Sequence, residues 1–211
     1  MDYALVLIPV FAVFIPALIL PGPDFVAVVR SSMTYGTRAG LMTTIGVSMG
    51  LCLYATLSLL GLSAILIKYQ WLTWAVRVLG GAYLIYLGIK LLRARPQAID
   101  LEQPAARRPG KRTILFGFLV TLTNPKAIVL FASVFATAVT ASTPVWLMAL
   151  MIGLVTLSSL TWYACVSVFM SSGPVMRRFQ GAKHWIERAA GVCFIGLGGK
   201  VLADAGPPAS A

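Results

Sequence analysis

Six long apolar segments follow one another along the chain, separated by short polar stretches. They lie roughly at residues 4–32, 39–67, 72–92, 113–138, 145–170 and 186–202. A helix needs about 20 apolar residues to cross the hydrocarbon core of a bilayer. The pattern therefore predicts an all-α, polytopic membrane protein with six transmembrane helices, named spans 1 to 6. Span 1 is interrupted near Pro21–Pro23 and span 4 near Pro125.

Spans 3 and 6 share a sequence pattern, W-x-x-R-x-x-G-x-x-aromatic. It reads Trp74, Arg77, Gly80, Tyr83 in span 3 and Trp185, Arg188, Gly191, Phe194 in span 6. Spans 1 and 4 correspond through their proline breaks. Because three spans is an odd number, the two halves would enter the membrane from opposite sides, as an inverted repeat. We expect a first three-helix repeat at 1–92, a cytoplasmic basic linker at 93–112, a second repeat at 113–204 and a disordered tail at 205–211.

Charge placement gives the expected orientation. Hydrophobic residues make up 59% of the chain and charged residues 11%, whereas a soluble protein carries roughly 25% charged residues. The net charge is +11, and the basic residues are concentrated in every second connection. They are Arg30 and Arg38; Arg93, Arg95, Arg107, Arg108, Lys111 and Arg112; and Arg177, Arg178, Lys183 and Arg188. Basic loops stay in the cytoplasm, so both termini are predicted outside, and this placement argues against nucleic-acid binding.

The two breaks are the candidate chemical site. An Asn followed by Pro is typical of a helix start, since Asn caps free N–H groups and Pro suits the first helical position. We therefore expect half-helices to begin near Gly22 and at Asn124, with their positive dipole ends converging on an anionic group. The candidate binding or coupling residues are Pro21, Gly22, Pro23, Asp24, Asn124, Pro125 and Lys126.

Asp24 and Lys126 are the charges closest to the breaks. A charge at the bilayer centre costs roughly 2.5–3.5 kcal/mol on insertion scales, so neither is expected to face lipid. The two should approach each other. They form either a structural ion pair between the repeats or a substrate or proton site, and both readings stay open. An α-amino acid would offer a carboxylate to Lys126 and an ammonium to Asp24, which could instead take a proton. Arg77 is a further candidate ligand.

The remaining polar residues argue against other chemistries. Cys52, Cys165 and Cys193 are far apart, with no metal-ligand spacing. Six acidic residues, of which Asp24 lies deep in a span, do not supply the acid–base or metal cluster that an enzyme would need. We expect no enzyme activity, no metal and no cofactor.

Several motifs together resemble a known family. They are Pro21-Gly22-Pro23-Asp24-Phe25, the glycines Gly36, Gly40 and Gly46, the stretch from Gly81 to Gly88, Asn124-Pro125-Lys126-Ala127-Ile128, and Phe131 to Phe135. Over nearly its whole length the chain resembles the LysE/RhtB family of bacterial amino-acid exporters, and within it the threonine and homoserine exporters.

The resemblance implies a secondary transporter in the bacterial inner membrane. It would export small neutral amino acids from the cytoplasm by proton antiport, with the amino acid, protons and the lipid bilayer as its partners. The resemblance allows a homodimer without indicating one. The alternatives are an exporter of another small metabolite or of a metal ion, or a non-transporting membrane scaffold.

Overall fold

The computed structural model describes residues 3–62, 65, 68–94, 110–135, 138–139, 143–169 and 173–205, and no strand occurs among them. Within these ranges the chain forms eight α-helices and two π-helical segments: α1 Ala4–Ile19, α2 Pro23–Tyr35, α3 Thr37–Thr56, π1 Leu57–Leu62, α4 Gln70–Leu92, α5 Lys111–Leu122, α6 Pro125–Leu130, π2 Phe131–Phe135, α7 Val145–Phe169 and α8 Gly173–Ala203. The predicted all-α class is confirmed.

Several of these helices are long and apolar enough to cross a membrane. Four qualify within the described ranges, at Val6–Tyr35, Thr37–Gly61, Trp71–Leu92 and Val145–Phe169. Lys111–Leu122 and Pro125–Phe135, bent by 56° at their junction, qualify as a fifth when counted together. The protein is therefore a polytopic membrane protein, and the sixth span at 186–202 stays a prediction.

The connection predicted between spans 5 and 6 is part of helix α8 in the structure. That connection is helical, because α8 begins at Gly173 and continues for 31 residues. Pro174 suits the first turn of a helix, and the Met, Arg, Gln and Lys residues that follow are good helix formers. Lys183 Nζ also lies 3.6 Å from Glu187 Oε1, one turn further along α8. Such a pair stabilises a helix modestly.

Helices α4 and α8 cross antiparallel at two pairs of glycines. A Cβ on Gly198 would lie 2.7 Å from the Gly81 carbonyl oxygen, and a Cβ on Gly88 would lie 2.7 Å from the Gly191 carbonyl oxygen. The bare glycines let the two backbones approach closely. If α4 and α8 exchanged places, one glycine pair would superpose on the other. An inverted repeat would produce this relation.

Helices α3 and α5 run parallel and are also in backbone contact. A Cβ on Gly46 would lie 2.0 Å from the Ile114 carbonyl oxygen, and a Cβ on Gly117 would lie 2.3 Å from that of Thr43. Because α3 also packs against α2 and α7, this contact fixes where the end of α5 lies. It brings the second break next to the first.

The predicted linker and the predicted tail fall mostly outside the described residues. Residues 95–109 of the linker and 206–211 of the tail lie outside the described residues. The boundaries of the two repeats, the linker and the tail stay predictions.

Candidate functional site

The first break separates α1 from α2. Helix α1 ends at Ile19 and α2 begins at Pro23, with Gly22 extended at φ −128° and ψ −169° as its N-cap. The predicted helix start near Gly22 is confirmed. Asp24 consequently lies in the first turn of α2, where the helix dipole favours a negative charge. Its side chain is only 3% exposed.

The second break separates α5 from α6. Asn124 is the N-cap of α6, its side-chain oxygen accepts a hydrogen bond from the Lys126 backbone N–H at 3.1 Å, and Pro125 is the first helical residue. The predicted start at Asn124 is confirmed. Because the helix direction changes by 56° here, the first turn of α6 points towards the first break.

Two hydrogen bonds join the breaks through Asp24. Asn124 Nδ2 donates to Asp24 Oδ2 at 2.9 Å, and Thr121 Oγ1 donates to Asp24 Oδ1 at 3.1 Å. Each carboxylate oxygen therefore has a donor, and hydrogen bonds to a charged group are stronger than neutral ones. Asn124 serves both breaks, since it caps α6 with its oxygen and holds Asp24 with its nitrogen. All three side chains are buried.

Lys126 reaches across to the end of α1. Its Nζ donates to the Ala17 carbonyl at 2.7 Å and lies 3.5 Å from the Leu20 carbonyl oxygen. The carbonyl end of a helix carries partial negative charge, which favours an ammonium. A Cβ on Gly22 would lie 3.1 Å from this Nζ, tighter than nine in ten real Cβ contacts. Gly22 therefore leaves room for the ammonium.

Asp24 and Lys126 line the same cavity, the Asp24 cavity, as the sequence predicted. Its volume is about 20 Å³, and Phe14, Phe131 and Tyr163 also line it. The hydrogen bonds that hold the two charges in this structure go to other groups, Thr121 and Asn124 for Asp24 and the α1 carbonyls for Lys126. Two opposite charges thus line one small cavity while each is hydrogen-bonded to other groups.

The other predicted site residues have different positions. Pro21, Pro23 and Pro125 shape the two breaks and are not among the residues that line the cavity. Arg77 is not brought to this cavity. It lines a separate one with Lys200 and Asp204, and its Nη1 donates to the Asp204 carbonyl at 3.4 Å.

Two functional candidates were missed from the sequence, Thr121 and Tyr163. Thr121 is a hydroxyl three residues before Asn124, and this spacing places the two side chains on one side of the chain. Tyr163 is a fully buried tyrosine in the second half of the apolar helix α7. A polar side chain within a predicted span is the signal that could have identified both.

The donor set of the site suits an organic zwitterion better than a metal. Within the described ranges, no three His, Cys, Asp or Glu side chains lie together as a metal site would require. The cavity offers one carboxylate, one ammonium and the side chain of Tyr163. Hard cations prefer several oxygen ligands, and soft ones prefer thiolates.

Replacing Asn124 by Ala is expected to destabilise the protein by about 2 kcal/mol or more. It removes the cap of α6, which contributes about 1 kcal/mol, and a donor to a buried carboxylate, which contributes about 1–3 kcal/mol. Thermal unfolding in detergent should show a melting temperature lower by about 4–8 °C. Thr123→Ala is the matched control, because its exposed hydroxyl bonds within its own helix. Equal melting temperatures for the two variants would contradict this role of Asn124.

Comparison with known proteins finds matches over most of the chain. Residues 15–205 match the family described as LysE type translocator. The threonine efflux protein of Salmonella typhi is 33% identical over 88% of this chain and 92% of its own length, and that of Escherichia coli K12 is 32% identical over the same shares. The leucine efflux protein of Klebsiella pneumoniae is 26% identical over 90% of each chain. No solved structure matches the chain.

The family match extends over both breaks and all of the residues that line the Asp24 cavity except Phe14. Both of these threonine efflux proteins are more than 30% identical over 88% of the chain. Together with the several apolar spans, these matches place the protein in a bacterial inner membrane as a transporter and not an enzyme. The chain belongs to the LysE family of translocators.

Proposed function

We propose that the protein is a secondary transporter that exports small neutral amino acids from the cytoplasm in exchange for protons. The observation that carries this proposal is the pair of opposite charges, Asp24 and Lys126, around one buried cavity. An α-amino acid carries the complementary pair, an ammonium and a carboxylate. The names of the relatives, threonine efflux protein and leucine efflux protein, support the same substrate class.

Substrate recognition would follow from the two charges. The carboxylate of the amino acid would bind Lys126 and the N-terminal end of α6, and its ammonium would bind Asp24. The cavity of about 20 Å³ holds one water at most, since a water needs about 10–15 Å³ on this measure. The site must therefore enlarge to admit an amino acid. Lys126 can release the α1 carbonyls and turn towards the substrate carboxylate, because four rotatable bonds separate its ammonium from the backbone.

Proton coupling would follow from competition for Asp24. The carboxylate can neutralise the substrate ammonium or hold a proton, and one occupant excludes the other. A site that carries the amino acid outward and the proton inward therefore performs antiport. Thr121 and Asn124 hold the carboxylate in place while the site is empty, because their donors satisfy its oxygens.

The expected orientation of the protein in the membrane rests on the basic residues. Arg38 and Arg93 lie at helix ends that the positive-inside rule assigns to the cytoplasm, as do Lys111 and Arg112 at the start of α5, and Arg30 lies in the second half of α2 on the same side. The opposite end carries Lys68, Trp71 and Trp146, and aromatic residues of this kind favour the membrane interface. Both termini would face outward, and both breaks would lie between the two interfaces.

The test is transport in liposomes with an imposed pH gradient. L-threonine, L-homoserine, L-serine and L-leucine are followed as labelled substrates. Gradient-dependent movement of one or two of them is expected. The affinity for that substrate should fall about tenfold to hundredfold in Lys126→Met, since a hydrogen bond to a charged group contributes about 1.5–3 kcal/mol. Met keeps the unbranched side chain to within one heavy atom of its length and removes the ammonium.

Lys68→Met is the matched control for this variant. Its ammonium lies 5.5 Å from the centre of the Tyr69 ring, on an exposed part of the chain. We expect it to transport as the wild type does. If a folded wild-type protein moved none of the four amino acids, the proposal would be refuted. Thermal-shift assays with divalent metals and with other metabolites would then distinguish the remaining alternatives.

A further inference from the structure

A second cavity lies beside α1, α4 and α8, and it is much larger than the first. This Arg77 cavity is lined by Arg77, Lys200 and Asp204 among its charged residues, and by Val10 and Val134 among its apolar ones. Its volume is about 180 Å³, against about 20 Å³ for the Asp24 cavity. It has space for a small organic molecule without any rearrangement.

The charges of the Arg77 cavity sum to one positive charge. A purely structural role for Arg77 would be to cap the end of α8, because its Nη1 donates to the Asp204 carbonyl at 3.4 Å. That bond is long, and a guanidinium has five N–H donors. The ammonium of Lys200 is exposed and lines the same space. A cap for one carbonyl does not require a second cation, whereas a carboxylate ligand would use both.

The two cavities lie next to each other along α1 and π2, and different residues of these elements line each one. On α1, Val10 lines the Arg77 cavity and Phe14, one turn further along, lines the Asp24 cavity. On π2, Val134 lines the Arg77 cavity and Phe131 lines the Asp24 cavity. Three phenyl rings lie at this boundary. Their centroids are 6.1 Å apart for Phe14 and Phe131, 5.8 Å for Phe14 and Phe135, and 4.5 Å for Phe131 and Phe135.

We propose that the Arg77 cavity is a second substrate site, in which Arg77 and Lys200 bind the carboxylate of the amino acid and Asp204 its ammonium. The three phenyl rings close the path between this site and the Asp24 cavity. The inference rests on the proposed function and on its orientation, which places the Arg77 cavity on the outer side. An exported amino acid would pass the rings and occupy this cavity before release.

The π-helical turn Phe131–Phe135 is suited to move these rings. A π-turn inserts an extra residue into a helix, and such turns often occur at functional sites. Phe131 and Phe135 lie at its two ends. If the turn reverted to an α-helix, the side chains beyond the change would rotate about the helix axis. The rings would then move apart, and the space between them would connect the two cavities.

The experiment compares Arg77→Gln with Arg188→Gln in liposomes. Arg188 occupies the corresponding place in the W-x-x-R pattern, is exposed and stacks over Trp185 at 5.7 Å. Counterflow is measured against increasing amino acid on the outer side, with L-threonine or the panel member that the wild type moves fastest. Arg77→Gln should raise the half-maximal outer concentration about tenfold or more. Arg188→Gln should change it less than about twofold.

The carboxamide of the same amino acid separates charge recognition from general damage. It lacks the carboxylate, so the wild type should bind it more weakly than the amino acid on the outer side. Arg77→Gln should lose most of this preference, and Arg188→Gln should keep it. Lys200→Gln provides the same measurement if Arg77→Gln unfolds in detergent. A merely structural role for Arg77 would leave the preference unchanged.

The outcomes separate this inference from the proposed function. If the folded wild type exchanges no panel member, the proposed function fails. If it exchanges an amino acid and the Arg77→Gln and Lys200→Gln variants keep both the outer half-maximal concentration and the preference for the carboxylate, the Arg77 cavity is not a substrate site. In that case the transporter and its Asp24 cavity stand unchanged.

Discussion

Replacing Asp24 by Asn is expected to abolish the acceleration of amino-acid export by a pH gradient while the protein stays folded. Asn has nearly the same shape as Asp, so packing is preserved. Its oxygen can accept from Asn124, and its NH₂ group can donate to the Thr121 hydroxyl. That hydroxyl can in turn donate to the Gly117 carbonyl, whose oxygen lies 3.3 Å away. The variant therefore removes the charge and the proton-binding group while keeping a hydrogen bond to both Thr121 and Asn124.

Two quantities should change together in Asp24→Asn. The affinity for the transported amino acid should fall about tenfold to hundredfold, since its ammonium loses a charged partner. The dependence of the transport rate on the pH gradient should disappear, because an amide does not take up the exchanged proton. Both are measured in liposomes, with gradients of either sign and with none.

Asp204→Asn is the control for Asp24→Asn on the question of coupling. Asp204 is exposed at the end of α8, away from the Asp24 cavity. It lies in the Arg77 cavity, so its removal is expected to change outer affinity and to preserve the response to the pH gradient. Gradient-driven export that persists in a folded Asp24→Asn protein would show that another group carries the proton.

Replacing Gly46 by Ala is expected to destabilise the protein by about 3 kcal/mol or more. The added Cβ would lie 2.0 Å from the Ile114 carbonyl oxygen and 2.8 Å from the Phe118 nitrogen. These are backbone atoms of α5, which do not rotate away as a side chain would. Overpacking a tight contact usually costs about 1–3 kcal/mol, and more when the backbone must shift. Separating α3 from α5 would also displace Thr121 and Asn124 from Asp24.

The measurement for Gly46→Ala is thermal unfolding in detergent, with Gly153→Ala as its control. Among the residues that the structure describes, no atom outside its own helix lies within 4 Å of a Cβ placed on Gly153, in the interior of α7. The melting temperature should fall by about 6–12 °C for Gly46→Ala. It should stay the same or rise slightly for Gly153→Ala, because Ala favours a helix over Gly by about 0.5–1 kcal/mol. A Gly46→Ala protein as stable as wild type would mean that α3 and α5 are not in backbone contact.

Much of the site could be predicted because its signals are local. The Asn124-Pro125 pair starts a helix through its own side chain and ring, whatever surrounds it. The Pro-Gly-Pro run ends α1 and begins α2 for similarly local reasons. Asp24 and Lys126 stood out because a charge inside an apolar segment requires partners. The structure places both at one cavity.

The contacts between helices could not be predicted in the same way. Thr121 is the donor that sequence reasoning missed, and Arg77, a further candidate ligand, lines a cavity separate from that of Asp24 and Lys126. The charges between Gly173 and Arg188 predict a polar connection. The same residues have high helix propensity, and the structure shows a helix there. Which side chains meet depends on the rotation and the relative height of packed helices, and a single sequence carries no direct signal for either.

The sequence by itself determined the apolar spans, the two breaks and the charges beside them, because each follows from neighbouring residues in the chain. Only the tertiary structure decided that Asp24 is held by Thr121 and Asn124 while Lys126 bonds the end of α1. It also decided that Arg77 lies in a separate, larger cavity. The physical reason is the close approach of backbones at glycines such as Gly46 and Gly117. These contacts fix the height of one helix against another, and with it the distance between side chains about 100 residues apart.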